Sequence, residues 1–483
     1  MLPRVAVLFT GVAVGLGCCL FRPRGSLPEL FAPLPVPGLA VVAVAVGALA
    51  LSVSPWVSLA GQYLRYESAP VRLAYLLLFA VAACLLAAGG AAARGRTVTW
   101  FLVACSVIAV EAAWEWFANR YGLAGALDRP DGNLGNAALL GVVEAMALPL
   151  VLGRLMERRA LRWVPILILV LAGLLLSSER SAWLGGALAG ILVVAAHLPR
   201  ARLAWAAAAA VIMLAVAMAL VAGPLGALNA DPYTLRLQLW QHAIPMIEAR
   251  PLLGWGEDTF GLVFGSYAHG YLPHVLFDRA HSQPLDLAAA QGLLGLAASA
   301  VFWVLFALAV LRSGRWRQEE GPALLAALTA YWTWSVVNFD WAPATAVFWL
   351  LAAVAWSSGR PTPAPRARNL PLAVGATALG AAAALAFGIL PLAADLAAYR
   401  SDLMMAVALD PIQSHYHQLL GEAYLGQGQF ASAATELRSA TDLGDDDPLA
   451  WWELGDAEQH LGHSAAAATA HARARQIDPT VGT

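Results

Sequence analysis

Long apolar stretches alternate with short polar connections through the first 394 residues of the chain. A stretch of about 17–25 apolar residues is long enough to cross a bilayer as a helix. The first 20 residues also resemble a signal peptide ending near Cys18, but the many spans that follow favour a first membrane helix. The pattern predicts about twelve spans, at 4–21, 38–54, 71–89, 97–117, 135–153, 163–178, 182–197, 203–223, 284–312, 321–338, 343–358 and 369–394.

Arginines in the connections predict the orientation of these spans. Short connections that are dense in arginine alternate with connections that are longer in total and hold fewer arginines. Positively charged connections stay in the cytoplasm. The arginine-poor set, which includes a large loop at 224–283, is therefore expected outside the cytoplasm, together with the N-terminus and the tail after residue 394.

The tail after residue 394 has a different composition, in which small and apolar residues recur 34 residues apart. Leu420-Gly421 recurs as Leu454-Gly455, and Ala433 recurs as Ala467. This period, with small residues where helices cross, is typical of tetratricopeptide repeats. The expected fold is all-α: a polytopic membrane helix bundle at 1–394, which includes the loop, followed by a tetratricopeptide-repeat α-solenoid at 395–483.

The composition narrows the classes of function. Hydrophobic residues make up 60% of the chain, charged residues make up 12%, and the mean hydropathy is +0.66, which indicates a membrane protein. A net charge of -2 without a basic domain predicts no nucleic-acid partner. The chain has no lysine, no Walker loop, no zinc-ligand spacing and no Asp-x-Asp pair at a loop start. We therefore expect no metal, no cofactor and no Schiff-base chemistry.

The segment from Arg250 to Gly295 is polar and aromatic, and most of it lies in the large loop. A connection of roughly 60 residues is much longer than usual, which favours a functional segment. Arg250 and Arg279 are candidate substrate-binding residues there, and the alternative for each is an ion pair with a nearby acidic residue, namely Glu248, Glu257, Asp258 or Asp278.

Two other arginines are candidates for binding an anion. Arg180 lies at the outer start of a predicted span, and Arg236 lies in a segment whose apolar residues predict a helix on the bilayer surface. The planar guanidinium group of arginine binds two phosphate oxygens through parallel hydrogen bonds, and it stays positively charged. The alternative is an arginine that extends to the lipid interface without a role in chemistry.

His281, Ser282 and Arg65 complete the candidates. His281 precedes a span, and histidine can exchange a proton near neutral pH. Ser282 follows it as a candidate hydrogen-bonding partner of the substrate. Arg65 lies between the second and third spans, where it would orient the substrate or pair with Glu67.

Five stretches occur in an order that resembles the O-antigen ligase and polymerase family, in its subgroup with C-terminal tetratricopeptide repeats. They are SPWVSLAGQYLRYE, RPDGNLGNAALLG, SSERSAWLGG, LRLQLWQHAIPMIEARPLLGWGEDTFG and AHSQPLDLAAAQGLLGL. The resemblance implies a metal-independent glycosyltransferase in the bacterial cytoplasmic membrane. Such an enzyme takes a glycan from an undecaprenyl-pyrophosphate carrier and transfers it at the outer face.

The resemblance also implies roles for residues. Arg180 and Arg236 would hold the pyrophosphate, and His281 would contact the acceptor or take its proton. Ser282 stands where the family usually has asparagine, and Gln291 stands at a commonly acidic position.

Several hypotheses stay open at this point. The leading one is an O-antigen ligase-like enzyme. Its acceptor would be a lipid in a ligase, a glycan in a polymerase, or a protein in a protein O-oligosaccharyltransferase. A transporter and a non-catalytic membrane scaffold are the alternatives from other classes. The expected partners are the lipid-linked donor, the acceptor, membrane lipids and a protein bound by the repeats.

Overall fold

A computed structural model describes residues 2–21, 35–63, 65–123, 129–158, 161–197, 233–268, 277–317, 320–358, 370–444, 447–478 and 481–482. Every regular element within these ranges is helical. The membrane part contains α1 (Leu2–Phe21), α2 (Pro35–Ala50), α3 (Pro55–Ala60), α4 (Ala69–Arg120), α5 (Ala137–Arg158), α6 (Val164–Leu176), α7 (Arg180–His197), α8 (Tyr233–Ala249), α9 (Phe260–Phe264), α10 (Gln283–Arg312), α11 (Gly321–Ser335), α12 (Ala342–Ser358), α13 (Leu370–Ala384) and α14 (Leu390–Tyr399).

Six helices in the described ranges are long and apolar enough to cross a membrane. They are α1, α4, most of α5, α7, α10 and the continuous segment Leu370–Tyr399. Three shorter apolar helices, which include α12, accompany them. The predicted span at 203–223 lies outside the described residues, and the total of twelve stays a prediction.

Several boundaries differ from the sequence prediction, and two of these differences change the architecture. The spans predicted at 71–89 and 97–117 form one element, α4, which is interrupted only at Gly90 with φ +66° and ψ -164°. The predicted connection was too long because the alanine-rich residues after Gly90 are good helix formers. The span predicted at 321–338 is also too long, because α11 ends at Ser335 and the Asn338 carbonyl accepts a hydrogen bond from another helix.

Close helix packing forms the centre of the bundle. α11 packs against α7 and α5, and α4 packs against α12 and α6. A Cβ atom at Gly185 on α7 would lie 2.6 Å from the Ala330 carbonyl oxygen on α11. Only glycine permits this approach, which agrees with the small-residue packing expected of membrane helices.

The two ends of the bundle differ in their polar contacts. At one end, Arg154 Nε lies 2.6 Å from Glu320 Oε1, and Arg154 Nη2 donates to the Gly95 carbonyl at 2.8 Å. The connections at 51–63, 65–68, 177–179, 250–268, 277–282 and 336–341 gather at the other end. The start of α1 belongs there too, because Arg4 Nη1 donates to the Leu134 carbonyl at 2.8 Å.

The C-terminal part consists of α15 (Leu403–Leu409), α16 (Ser414–Gly426), α17 (Phe430–Asp442), α18 (Pro448–His460) and α19 (Ser464–Ile477). The hairpin α16–α17 recurs as α18–α19 with starts 34 residues later. A Cβ atom at Gly421 would lie 2.6 Å from the Leu437 side chain, so a small residue is needed where the helices cross. The helix pairs agree with the periodicity, and the repeat type stays a prediction.

Candidate active site

The N-termini of α7 and α10 meet at Asn338, in the connection between α11 and α12. Asn338 Nδ2 donates to Ser181 Oγ at 2.9 Å, and the Asn338 carbonyl accepts from the Gln283 N–H at 2.7 Å. Ser181 is the second residue of α7 and Gln283 is the first residue of α10. One asparagine therefore joins two helix N-termini, whose partial positive charges favour a bound anion.

Arg180 is the first residue of α7 and is half-buried. The acidic neighbour Glu179 is engaged elsewhere, because it lies 3.7 Å from Arg129 Nη1 and accepts from the Ser181 hydroxyl. Within the part of the chain that the structure describes, Arg180 forms no hydrogen bond or ion pair. Its positive charge is therefore available to a ligand beside the two helix N-termini.

His281 lies two residues before α10 in a backbone conformation that side chains rarely adopt. Its φ is +51°, and its ring meets the edge of the Phe339 ring at a centroid distance of 5.1 Å. Ala280, the residue before His281, is held by two hydrogen bonds. Trp240 Nε1 donates to the Ala280 carbonyl at 2.8 Å, and the Ala280 N–H donates to Asp286 Oδ1 at 2.7 Å. Strain that the surroundings enforce is common at functional sites.

Arg236 lies on α8, one turn before Trp240, so the two side chains share a face. Because Trp240 contacts Ala280, this face is directed toward the segment that holds His281. Leu237 and Ile244 are exposed apolar residues of this helix, and its position on the bilayer surface stays a prediction. The residues packed inward instead follow the helical period and include Leu239, Ala243 and Met246.

Three contacts thus bring the predicted catalytic residues to one region. Ser181 beside Arg180 contacts Asn338, the next residue Phe339 contacts His281, and Trp240 on the Arg236 helix contacts Ala280. The three contacts join residues that are 157, 58 and 40 positions apart in the chain.

Arg65 lies next to this region. Its guanidinium carbon is 4.5 Å from the centroid of the Trp341 ring and 5.1 Å from that of Phe339. It also pairs with Asp278. Burial opposes ionisation of Asp278, but the Arg65 charge outweighs it, and the pKa of the carboxyl is lowered. The two cation–π contacts and the ion pair fix Arg65 beside the Asn338 connection.

The alternative pairing of Arg65 with Glu67 is not observed. Glu67 is buried, and its Oε1 atom accepts a hydrogen bond from Tyr75 Oη at 2.7 Å. Burial raises the pKa of Glu67 to about 8, although Arg72 opposes the shift. At neutral pH this carboxyl group is therefore largely protonated.

Arg279 is buried and pairs with Asp258 rather than pointing into open space. Asp258 Oδ2 also accepts from the Gln62 N–H at 2.7 Å. The pair joins the segment that precedes His281 to the connection after α3. In this arrangement Arg279 supports the site, and direct contact with a substrate stays a prediction.

The two other predicted binding residues have different surroundings. Arg250 is exposed, donates to the Leu51 carbonyl at 3.3 Å and lies 4.3 Å from the Trp255 ring centroid. Ser282 is buried at the N-cap of α10, and its side chain forms no capping hydrogen bond. Arg250 is therefore turned toward its own loop, whereas Ser282 lies between His281 and the helix N-terminus.

A buried charge network below the site was not predicted. Arg72 Nε lies 2.6 Å from Glu257 Oε2, and Arg72 Nη1 lies 3.3 Å from Asp340 Oδ2. Gln291 Nε2 donates to the other oxygen of Glu257, and Tyr331 Oη donates to Asp340 at 2.6 Å. The signal that could have indicated this network is the polar and aromatic stretch Asn338–Trp341 between two apolar helices.

A second feature below the site is an apolar cavity of about 160 Å³. Aromatic rings from α10, α11 and α12 line it, and its polar wall contains Arg72, Gln283 and Asp340. Among the described residues, no three histidine, cysteine or acidic side chains are grouped closely enough to hold a metal ion.

Comparison with known proteins gives a match to a family model. No curated protein matches the chain. The family model described as O-antigen ligase matches residues 165–300, a range that contains Arg180, Arg236 and His281. The match supports the O-antigen ligase family and, with the long apolar helices, a membrane-embedded glycan enzyme of the O-antigen ligase or polymerase type.

Proposed function

We propose that this protein transfers a glycan from an undecaprenyl-pyrophosphate carrier to an acceptor hydroxyl. The reaction takes place at the outer face of the bacterial cytoplasmic membrane. The observation that carries this proposal is the meeting of two helix N-termini at Asn338, with Arg180 on one of them and His281 just before the other. A cationic region beside a proton acceptor is what such a transfer requires.

In the proposed reaction, the acceptor oxygen attacks the anomeric carbon of the glycan. A new carbon–oxygen bond forms while the bond from the anomeric carbon to the pyrophosphate oxygen breaks. The electron pair of the broken bond leaves with the lipid pyrophosphate, and the acceptor proton passes to His281. Arg180 and Arg236 bind the pyrophosphate, and negative charge that develops on it is stabilised by their fixed positive charges.

The arginines supply the positive charge that a divalent ion supplies in many glycosyltransferases. We therefore infer a metal-independent reaction without a cofactor. A bidentate arginine contact to phosphate combines charge with defined geometry. The two helix N-termini add partial positive charge that needs no further ordering during the reaction.

The leading acceptor assignment is that of an O-antigen ligase. A polymerase that extends a lipid-linked glycan and a protein O-oligosaccharyltransferase use the same donor chemistry and differ only in the acceptor. The C-terminal helix hairpins, taken as tetratricopeptide repeats, lie at the same end of the bundle as the site and offer a surface to a protein partner.

The test is complementation of a deletion strain, with the cell-surface glycan as the readout. The variants are Arg180→Ala, Arg236→Ala and His281→Asn at matched expression, because asparagine tolerates the left-handed backbone at residue 281. Arg120→Ala is the matched control, since Arg120 is an exposed arginine at the same end of the bundle.

We expect the three variants to behave like the deletion and the control to behave like wild type. A missing polymer then indicates a polymerase, and a polymer that is made but not attached indicates a ligase. Full complementation by all three variants would exclude the transferase and favour a scaffold.

A further inference from the structure

A cleft of about 580 Å³, lined by both polar and apolar side chains, lies between the membrane part and the first C-terminal hairpin. One wall comes from the connection between α3 and α4, with Trp341 beside it, and the other comes from the start of α16 and from Asp447. Its volume is within the range of about 300–1,000 Å³ that is typical of small-molecule sites.

Defined contacts hold the two walls together. The rings of Tyr63 and His415 stack at a centroid distance of 4.0 Å, and Gln413 Nε2 donates to the Gly61 carbonyl at 3.1 Å. Tyr63 Oη also donates to Asp395 Oδ1 at 2.9 Å. These buried and half-buried contacts fix the position of the hairpin, so the cleft has a defined shape.

The side chains that line the cleft suit a carbohydrate. Gln62, Gln418 and Asp447 offer planar amide and carboxylate groups, and Ser414 adds a hydroxyl group. Such groups donate and accept hydrogen bonds in pairs, as vicinal sugar hydroxyls require. Trp341 is a buried member of the lining, and the Arg65 guanidinium lies over its ring. The lining also contains apolar side chains, which include Val57, Phe277 and Ile412.

The cleft adjoins the candidate active site through Arg65. This residue lines the cleft, and its guanidinium lies over both the Trp341 and Phe339 rings. Phe339 in turn contacts the His281 ring. A ligand in the cleft would therefore be separated from the proposed proton acceptor by two side chains, Arg65 and Phe339.

We propose that this cleft binds an oligosaccharide segment of the glycan substrate, so that the first C-terminal hairpin forms part of the substrate site. This inference rests on the proposed function, because it assumes that the substrate is a glycan. It assigns the hairpin a direct role in binding the sugar, beside any role in binding a protein.

The experiment measures binding by the purified full-length protein in lipid nanodiscs. The probe is the oligosaccharide released by mild acid from the lipid-linked pool of the deletion strain. Ser414→Trp fills the cleft at the first residue of α16. Ser464→Trp is the matched control, because Ser464 is exposed and is likewise the first residue of a hairpin helix.

We expect wild type, Ser464→Trp and Arg180→Ala to bind the oligosaccharide alike, and Ser414→Trp to bind it at least tenfold more weakly. Equal binding by the two tryptophan variants, or no binding by wild type, would overturn the proposal. The two proposals can fail separately. If Arg180→Ala binds the oligosaccharide and also transfers the glycan as wild type does, the proposed reaction is rejected and the cleft assignment stands.

Discussion

Asn338 Nδ2 donates to Ser181 Oγ at 2.9 Å and so ties the connection after α11 to the first turn of α7. The Asn338 carbonyl holds the first residue of α10 at the same time. An asparagine can do both because its side chain supplies the donor while its backbone supplies the acceptor. This bond places Arg180 and His281 on two sides of one short connection.

Replacing Asn338 with alanine should therefore impair transfer more than replacing Ser181 with alanine. The loss of a buried hydrogen bond costs about 1–3 kcal/mol when a partner remains unsatisfied. Asn338→Ala removes the bonds to Ser181 and to the Trp334 carbonyl. Ser181→Ala keeps the Trp334 bond, which holds the connection, and loses the bond to Asn338 and the local bond to Glu179. We expect about a tenfold or larger loss of transfer for Asn338→Ala, measured in membranes with a lipid-linked donor. Wild-type activity of Asn338→Ala would contradict the bridging role.

Arg180→Lys should retain charge but lose most of the activity. Lysine presents a compact ammonium and cannot form the paired contacts of a guanidinium with phosphate. We expect a rate between those of wild type and Arg180→Ala, about tenfold or more below wild type. The measurement is initial rate against donor concentration. A wild-type rate for the lysine variant would show that charge alone is sufficient.

Thermal stability should depend on pH through Glu67. The pKa of this buried carboxyl is raised to about 8 in the folded protein, from 4.5 for the free side chain. Its contribution to stability is therefore complete below about pH 4.5 and is lost as pH rises toward 8, because the unfolded chain ionises first. Glu67→Gln should reduce the fall in Tm between pH 5 and pH 8 by a few degrees. An unchanged pH profile in detergent would contradict the assignment.

Gln291→Glu should destabilise the protein, although an acidic residue is common at this position in the family that the sequence resembles. Gln291 donates to Glu257, whose other oxygen is held by Arg72. A carboxylate at residue 291 would face the Glu257 carboxylate in a buried site, where an unpaired charge costs several kcal/mol. We expect a lower Tm, and partial recovery when Glu257→Gln is combined with it. Additive effects of the two substitutions would show that the side chains do not interact.

The sequence was sufficient for the helices and the repeat period, because both depend on local patterns. The apolar periodicity predicted α7 to within two residues, whereas α5 extends five residues beyond its predicted end. The recurrence of Gly421 at Gly455 predicted the hairpins. The role of Asn338 could not be predicted, because residue 338 was assigned to the end of an apolar span and its partners are distant in the chain. For the same reason, the sequence offered four acidic partners for Arg279, and only the fold selects Asp258.

Substitution of Gly444 should separate the first hairpin from the membrane part. Gly444 has a φ of +98°, and a Cβ atom there would lie 2.6 Å from Ser54 Oγ and 2.9 Å from the Val57 side chain. Gly428 is a matched control with a φ of +71° and no atom within 4 Å of its Cβ position. Both alanine variants carry the backbone strain of a left-handed residue, but only Gly444→Ala adds a clash between the two parts.

We therefore expect Gly444→Ala to weaken oligosaccharide binding by at least fivefold and to make the chain more sensitive to proteolysis between the membrane part and the hairpins. Gly428→Ala should show neither change, although both variants should lose a similar, small amount of thermal stability. If the two variants bind the oligosaccharide equally, the position of the hairpin does not control the cleft. The comparison separates contact between the two parts from backbone strain, because strain is common to both variants.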